Sequence, residues 1–159
     1  MIDDKELRDL FKAESEEHLQ HLDEGLLHLE AHPNDQATLE GVFREAHSLK
    51  GAARMLGVSD VETIAHRFED MLGAAKRGET ALSPETVDRL YRGLDAMRKL
   101  VHEAVTGEPA GVKVLNVLAQ VSGDSPAAVV ETPRAEPMRY QAPRREDAVQ
   151  EAEVYAIDA

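Results

Sequence analysis

His47 is the side chain best suited to chemistry in this sequence, because an imidazole near neutral pH can serve as nucleophile, proton carrier or metal ligand. It stands in the run Phe43-Arg44-Glu45-Ala46-His47-Ser48-Leu49-Lys50-Gly51-Ala52-Ala53-Arg54. At helical spacing its neighbours three, four and seven residues away are Phe43, Arg44, Lys50, Gly51 and Arg54, one apolar wall and three cations. The apolar stripe of the same segment is Val42, Ala46, Leu49, Ala53 and Leu56, and His47 falls well over a quarter-turn from its centre. The ring is therefore expected at the rim, within reach of solvent. Gly51 costs a helix about 1 kcal/mol relative to Ala, so it either fills a packing gap or clears space beside His47 for a bulky reactant. Access together with positive charge points to an anionic one.

Two further sets of residues compete for a role. His18, His21, His28 and His32 recur at three, seven and four residues along one side of a helix, where pairs one turn apart can share Zn²⁺ or Ni²⁺. No carboxylate of that segment completes a coordination shell, so the reading assigned is a solvated flank and no metal site. Glu62 and Glu69 share one flank of a later helix, with His66 between them, and could pair with the cations around His47.

Four helices must position these groups. In residues 3–31 Leu7, Phe11, Leu19, Leu22, Leu26 and Leu29 form one stripe, closed by a break at 32–35 with Asp35 as a ready N-cap. The His47 helix follows and stops at Gly57. Ser59 and Glu62 have capping-box spacing and open a third stripe of Val61, Ile64, Ala65, Phe68, Leu72 and Ala75. Ser83 and Pro84 start a fourth, Val87, Leu90, Tyr91, Leu94, Met97 and Val101, which ends before Gly107 and Pro109. Amphipathic helices joined by short turns bury their stripes only against antiparallel neighbours. The expected fold class is all-α, an antiparallel up-and-down four-helix bundle. Val112, Leu115, Leu118 and Val121 leave room for a short fifth helix, or for a strand. One unit is expected over 1–122, and a disordered linker or tail over 123–159, where Pro126, Pro133, Pro137 and Pro143 interrupt any pattern.

Composition narrows the function. The chain has 159 residues, 31 acidic against 18 basic, for a net charge of −13. That sign repels nucleic acid and anionic lipid, so neither is an expected partner. With no Cys there is no disulfide, thiolate metal site or Cys nucleophile. No apolar run is long enough for a signal peptide or membrane span, which makes a cytoplasmic protein the expectation. No glycine-rich phosphate loop of either common type occurs, and no acidic pocket for Mg²⁺ can be placed.

The run Ala46-His47-Ser48-Leu49-Lys50-Gly51-Ala52-Ala53 with Leu56-Gly57 resembles the phosphorylation-site motif of histidine phosphotransfer (HPt) domains. It is most similar to that of the N-terminal domain of CheA-type chemotaxis histidine kinases. Ile64-Ala65-His66-Arg67-Phe68-Glu69-Asp70-Met71-Leu72 resembles that domain's second block, and the likeness covers residues 3 to 105. It implies that His47 accepts a phosphoryl group on Nε2, that Lys50 and Gly51 are the motif's Lys and Gly, and that Glu69 bonds the ring's Nδ1. His66 matches a further histidine near that site, and Phe43, Arg44, Gly51 and Arg54 would rim the docking surface. The resemblance implies a phosphocarrier, a piece of a sensor histidine kinase that binds no cofactor itself. ATP and Mg²⁺ would sit on partner domains: the kinase's ATP-binding domain as donor and a response regulator of the CheY or CheB kind as acceptor. The competing readings are a non-catalytic helical adaptor and a metal-binding bundle.

Overall fold

A computed structural model describes residues 1–123. The tail expected from Gly123 to residue 159 thus lies outside the described residues, apart from Gly123 itself. Three of the helices begin where a short polar side chain meets free backbone donors. Asp4 accepts from Leu7 N–H at 3.1 Å and starts α1 (Lys5–Ala31). Asp35 accepts from Ala37 and Thr38 and starts α2 (Gln36–Met55). Ser83, with Pro84 in the first turn, accepts from Thr86 N–H and starts α4 (Pro84–Thr106).

The start of α3 (Ser59–Lys76) departs from expectation. Gly57 sits at φ +73°, a left-handed conformation that glycine adopts without a side-chain clash. This lets Gly57 N–H bond the Arg54 carbonyl at 3.2 Å and Val58 N–H reach the Ala53 carbonyl at 2.9 Å. Val58 is therefore the exit of α2 and the N-cap of α3 at once, with no side-chain cap bond. The capping box of Ser59 and Glu62 does not form. Ser59 is already helical, and Glu62 turns to Arg54 at 2.9 Å.

The four helices close a square in which α1 lies beside α2 and α4, and α3 lies beside α2 and α4. The expected stripes fill it: Phe11, Leu22, Leu26, Leu29, Leu39, Leu49, Ile64, Phe68, Leu72, Leu90, Leu94 and Met97 are all but fully buried. Leu56 and Tyr91 are half-buried, and Leu7 is exposed, at 42%. α1 has 27 residues against 20 in α2, and Leu7 lies in the overhang. Residues 114–122 are helical, not a strand: α5 (Val114–Ser122) packs on α4 and α3. Its buried line is Val117, Ala119 and Val121, while Leu115 is 60% exposed. The helix begins only after Lys113, so Val112 packs from the extended lead and Leu115 is rotated outward. Among the described residues no helix is long and apolar enough to cross a membrane.

Candidate functional site

The α2 segment from Phe43 to Arg54 carries its chemistry on the flank that faces α3. The His47 side chain is 64% exposed, while Glu69 and Lys50 beside it are only 12% and 19% exposed. His47 Nδ1 bonds Glu69 Oε2, and Lys50 Nζ donates to Glu69 Oε1 at 2.6 Å. Burial pushes the Glu69 carboxyl up, but the hydrogen bonds from Lys50 and His47 outweigh it and hold the group below its ordinary value. Glu69 is thus ionised near neutrality and can only accept. Nδ1 then carries the proton, and the lone pair of the neutral ring lies on Nε2.

Gly51 stands one turn beyond His47, and a Cβ built on it would meet nothing within 4 Å. The packing-gap explanation therefore fails: no neighbour needs the missing side chain. A helical side chain leans toward the helix N-terminus, so one at position 51 would cover the patch beside the ring. Its absence keeps that patch clear.

The cations are less free than the sequence suggests. Arg44 Nε bonds Glu40 Oε1 at 3.0 Å, and Arg54 Nε lies 2.9 Å from Glu62 Oε2. Both arginines remain about three-quarters exposed, at 74% and 73%, so these pairs are weakly held and their guanidinium groups can turn to an incoming anion. In this geometry Lys50 serves Glu69, not the outward nitrogen.

The structure also places the two remaining expected site residues. His66 is exposed, with Nε2 3.7 Å from Asp70 Oδ1, and is not joined to the set around His47. Three residues before Glu69, it is rotated about 60° further from the seam between α2 and α3. Phe43 is half-buried against α3 beneath Lys76, whose Nζ lies 4.6 Å from the ring centroid.

Three of the four histidines His18, His21, His28 and His32 find carboxylates on α2 or at its N-cap. His18 Nδ1 and His21 Nδ1 lie 2.7 Å and 3.1 Å from the two oxygens of Glu45. His28 Nε2 lies 2.7 Å from Asp35 Oδ2, and its ring centroid is 4.8 Å from that of His32. Among the described residues no group of three or more His, Asp or Glu side chains is arranged to hold a metal ion.

A helical bundle whose most exposed carboxylate-held imidazole shares its carboxylate with a half-buried lysine, beside an open glycine, defines a class of group-carrying module. The chain belongs to the Hpt domain family, whose model matches residues 6–104. It is 40% identical over 128 residues to the gliding motility regulatory protein of Myxococcus xanthus, covering 79% of this chain and 16% of that protein. The CheA phosphotransferase domain from Thermotoga maritima superposes with a TM-score of 0.62 at 31% identity, covering 65% of this chain and 99% of that one. The phosphorylated P1 domain of CheA3 from R. sphaeroides, solved in complex with CheY6, gives a TM-score of 0.67 at 27% identity over 76% of this chain and 95% of that one. The chain spans 16% to 18% of the length of the first curated relatives it matches.

Proposed function

We propose that His47 is the phosphoacceptor of a chemotaxis-type signalling relay and that the chain works as a phosphocarrier, not as a kinase by itself. The observation that carries this is the geometry of one ring: Nδ1 held by an ionised Glu69, Nε2 turned to solvent, and Gly51 leaving its approach open. In the first step the Nε2 lone pair attacks the γ-phosphorus of ATP held with Mg²⁺ on a separate kinase domain. The N–P bond forms, the bond from phosphorus to the β,γ-bridging oxygen breaks, and its electron pair leaves with ADP. Nδ1 keeps its proton, and Glu69 stabilises the cationic ring. In the second step a carboxylate oxygen of an aspartate on a response regulator attacks phosphorus, and the N–P electron pair returns to Nε2.

Catalysis of such transfers lies mostly in positioning and charge neutralisation. Arg44 and Arg54 are suited to meet the phosphoryl oxygens, and Glu69 fixes the ring. The exposed outer face of α1 and α2 is the docking surface we assign to the regulator, of the CheY or CheB kind. Leu10 and Met55 on that face are 53% and 85% exposed, an apolar complement to the basic rim. A cytoplasmic setting fits this partnership.

The test mixes the chain with Mg·ATP and a CheA-type kinase domain. The expected product is an acid-labile, alkali-stable phosphoramidate that disappears in His47→Gln. Label retained by that variant would overturn the proposal by placing the phosphoacceptor elsewhere, and no label on the native chain would overturn it and leave a helical adaptor.

A further inference from the structure

We propose that Phe43 and Gly73 are positioning residues for the reaction at His47: the ring of one fills the notch left by the other and sets the helix approach that brings Glu69 under the imidazole. The proposal rests on the reading of His47 as phosphoacceptor. Among the contacts that cross the seam between α2 and α3, four keep one register, each step up one helix matched by an equal step down the other. Glu40 pairs with Lys76 at 2.5 Å, Phe43 meets Gly73, His47 bonds Glu69, and Arg54 pairs with Glu62 at 2.9 Å. At Gly73 a Cβ would come within 3.1 Å of Arg77 Nη1, 3.2 Å of Phe43 Cε1 and 3.6 Å of Phe43 Cδ1, so any side chain there would press the Phe43 ring away from its seat.

The turn at Gly57 and the ion pairs at the two ends of the seam fix the register coarsely. Gly73 is the only glycine in α3 and the one that faces Phe43, so that contact sets how closely the two helices approach beside Glu69. The notch lies one turn from Glu69, and Lys76 closes over the ring from the far side. The knob and its notch thus add a steric fit to an alignment that the turn and the ion pairs already favour.

The experiment compares native chain, Gly73→Val, and Gly73→Val combined with Phe43→Leu. Two readouts are taken: the His47 ring tautomer by long-range ¹H–¹⁵N correlation, and the rate of phosphorylation by a CheA-type kinase domain. The native ring is expected to carry its proton on Nδ1. Gly73→Val should shift protons toward Nε2 and slow phosphorylation by the order of ten- to a hundredfold, and the smaller Leu should recover most of both. A native tautomer and rate in Gly73→Val, or no recovery in the double variant, overturns the proposal. If circular dichroism shows Gly73→Val unfolded, Gly73→Ala replaces it. That variant gains helix propensity, so a more stable chain with slower transfer supports positioning, and unchanged transfer contradicts it. A native chain that takes no phosphoryl group defeats the phosphoacceptor reading alone, because the tautomer still decides the positioning claim.

Discussion

Glu69 divides its two oxygens between two partners, and that division makes His47 a directional nucleophile. Oε1 is fixed by Lys50 at 2.6 Å, so Oε2 can fix the ring. Glu69→Gln should leave the bundle folded and slow His47 phosphorylation roughly ten- to a hundredfold, since an amide can present its N–H₂ and favour the wrong tautomer. Single-turnover labelling checks this. Gly51→Leu should raise the urea midpoint, with a gain near 1 kcal/mol from helix propensity, while transfer to a regulator falls sharply; unchanged transfer would show that the open patch is unused. His47, Lys50 and Gly51 are legible in the sequence from residue type and helical spacing, whereas the role of Glu69 rests on the family resemblance. That His66 stands apart from the ring and that Phe43 packs on α3 depend on how far the two helices are rotated about their axes, which a one-dimensional pattern leaves free.

Helices α1 to α4 could be read from apolar periodicity and from Asp35, Ser83, Gly57 and Gly107. The junction of α2 and α3 could not. Whether Ser59 caps a helix depends on where Val58 goes, and Val58 is committed by the turn at Gly57. For α5, nine residues with apolar side chains on several faces define no phase by themselves; packing on Phe68 and α4 selects it. Val121→Ala should cost about 2 kcal/mol, two methyl groups plus the cavity they leave beside Phe68 and Gly93. Asp35→Ala should cost about 1 kcal/mol as a lost N-cap, with some addition from its bond to His28 at 2.7 Å. Urea denaturation followed by circular dichroism measures both, and a midpoint that does not move contradicts the assigned contact.

At the scale of the whole molecule, a net charge of −13 frames a small site whose cations pair with carboxylates. Those carboxylates also set the response to acid. Glu69 and Asp35 are held below their ordinary values of 4.5 and 3.8, the first by bonds from Lys50 and His47 that outweigh burial, the second chiefly by its bond to His28. A carboxyl lowered on folding stabilises the native state fully above its ordinary value and loses that contribution as pH falls through the lowered one. Stability should therefore hold near neutrality and fall below pH 4.5, and Glu69→Gln should flatten part of that fall.

The central claim is that one nitrogen of one ring is the chemical end of this bundle. It is tested most directly by locating the phosphorus through ³¹P–¹⁵N coupling in the phosphorylated, ¹⁵N-labelled chain. The coupling should fall on His47 Nε2, with Nδ1 still protonated against Glu69. Phosphorus on Nδ1, or on any other side chain, would contradict the account.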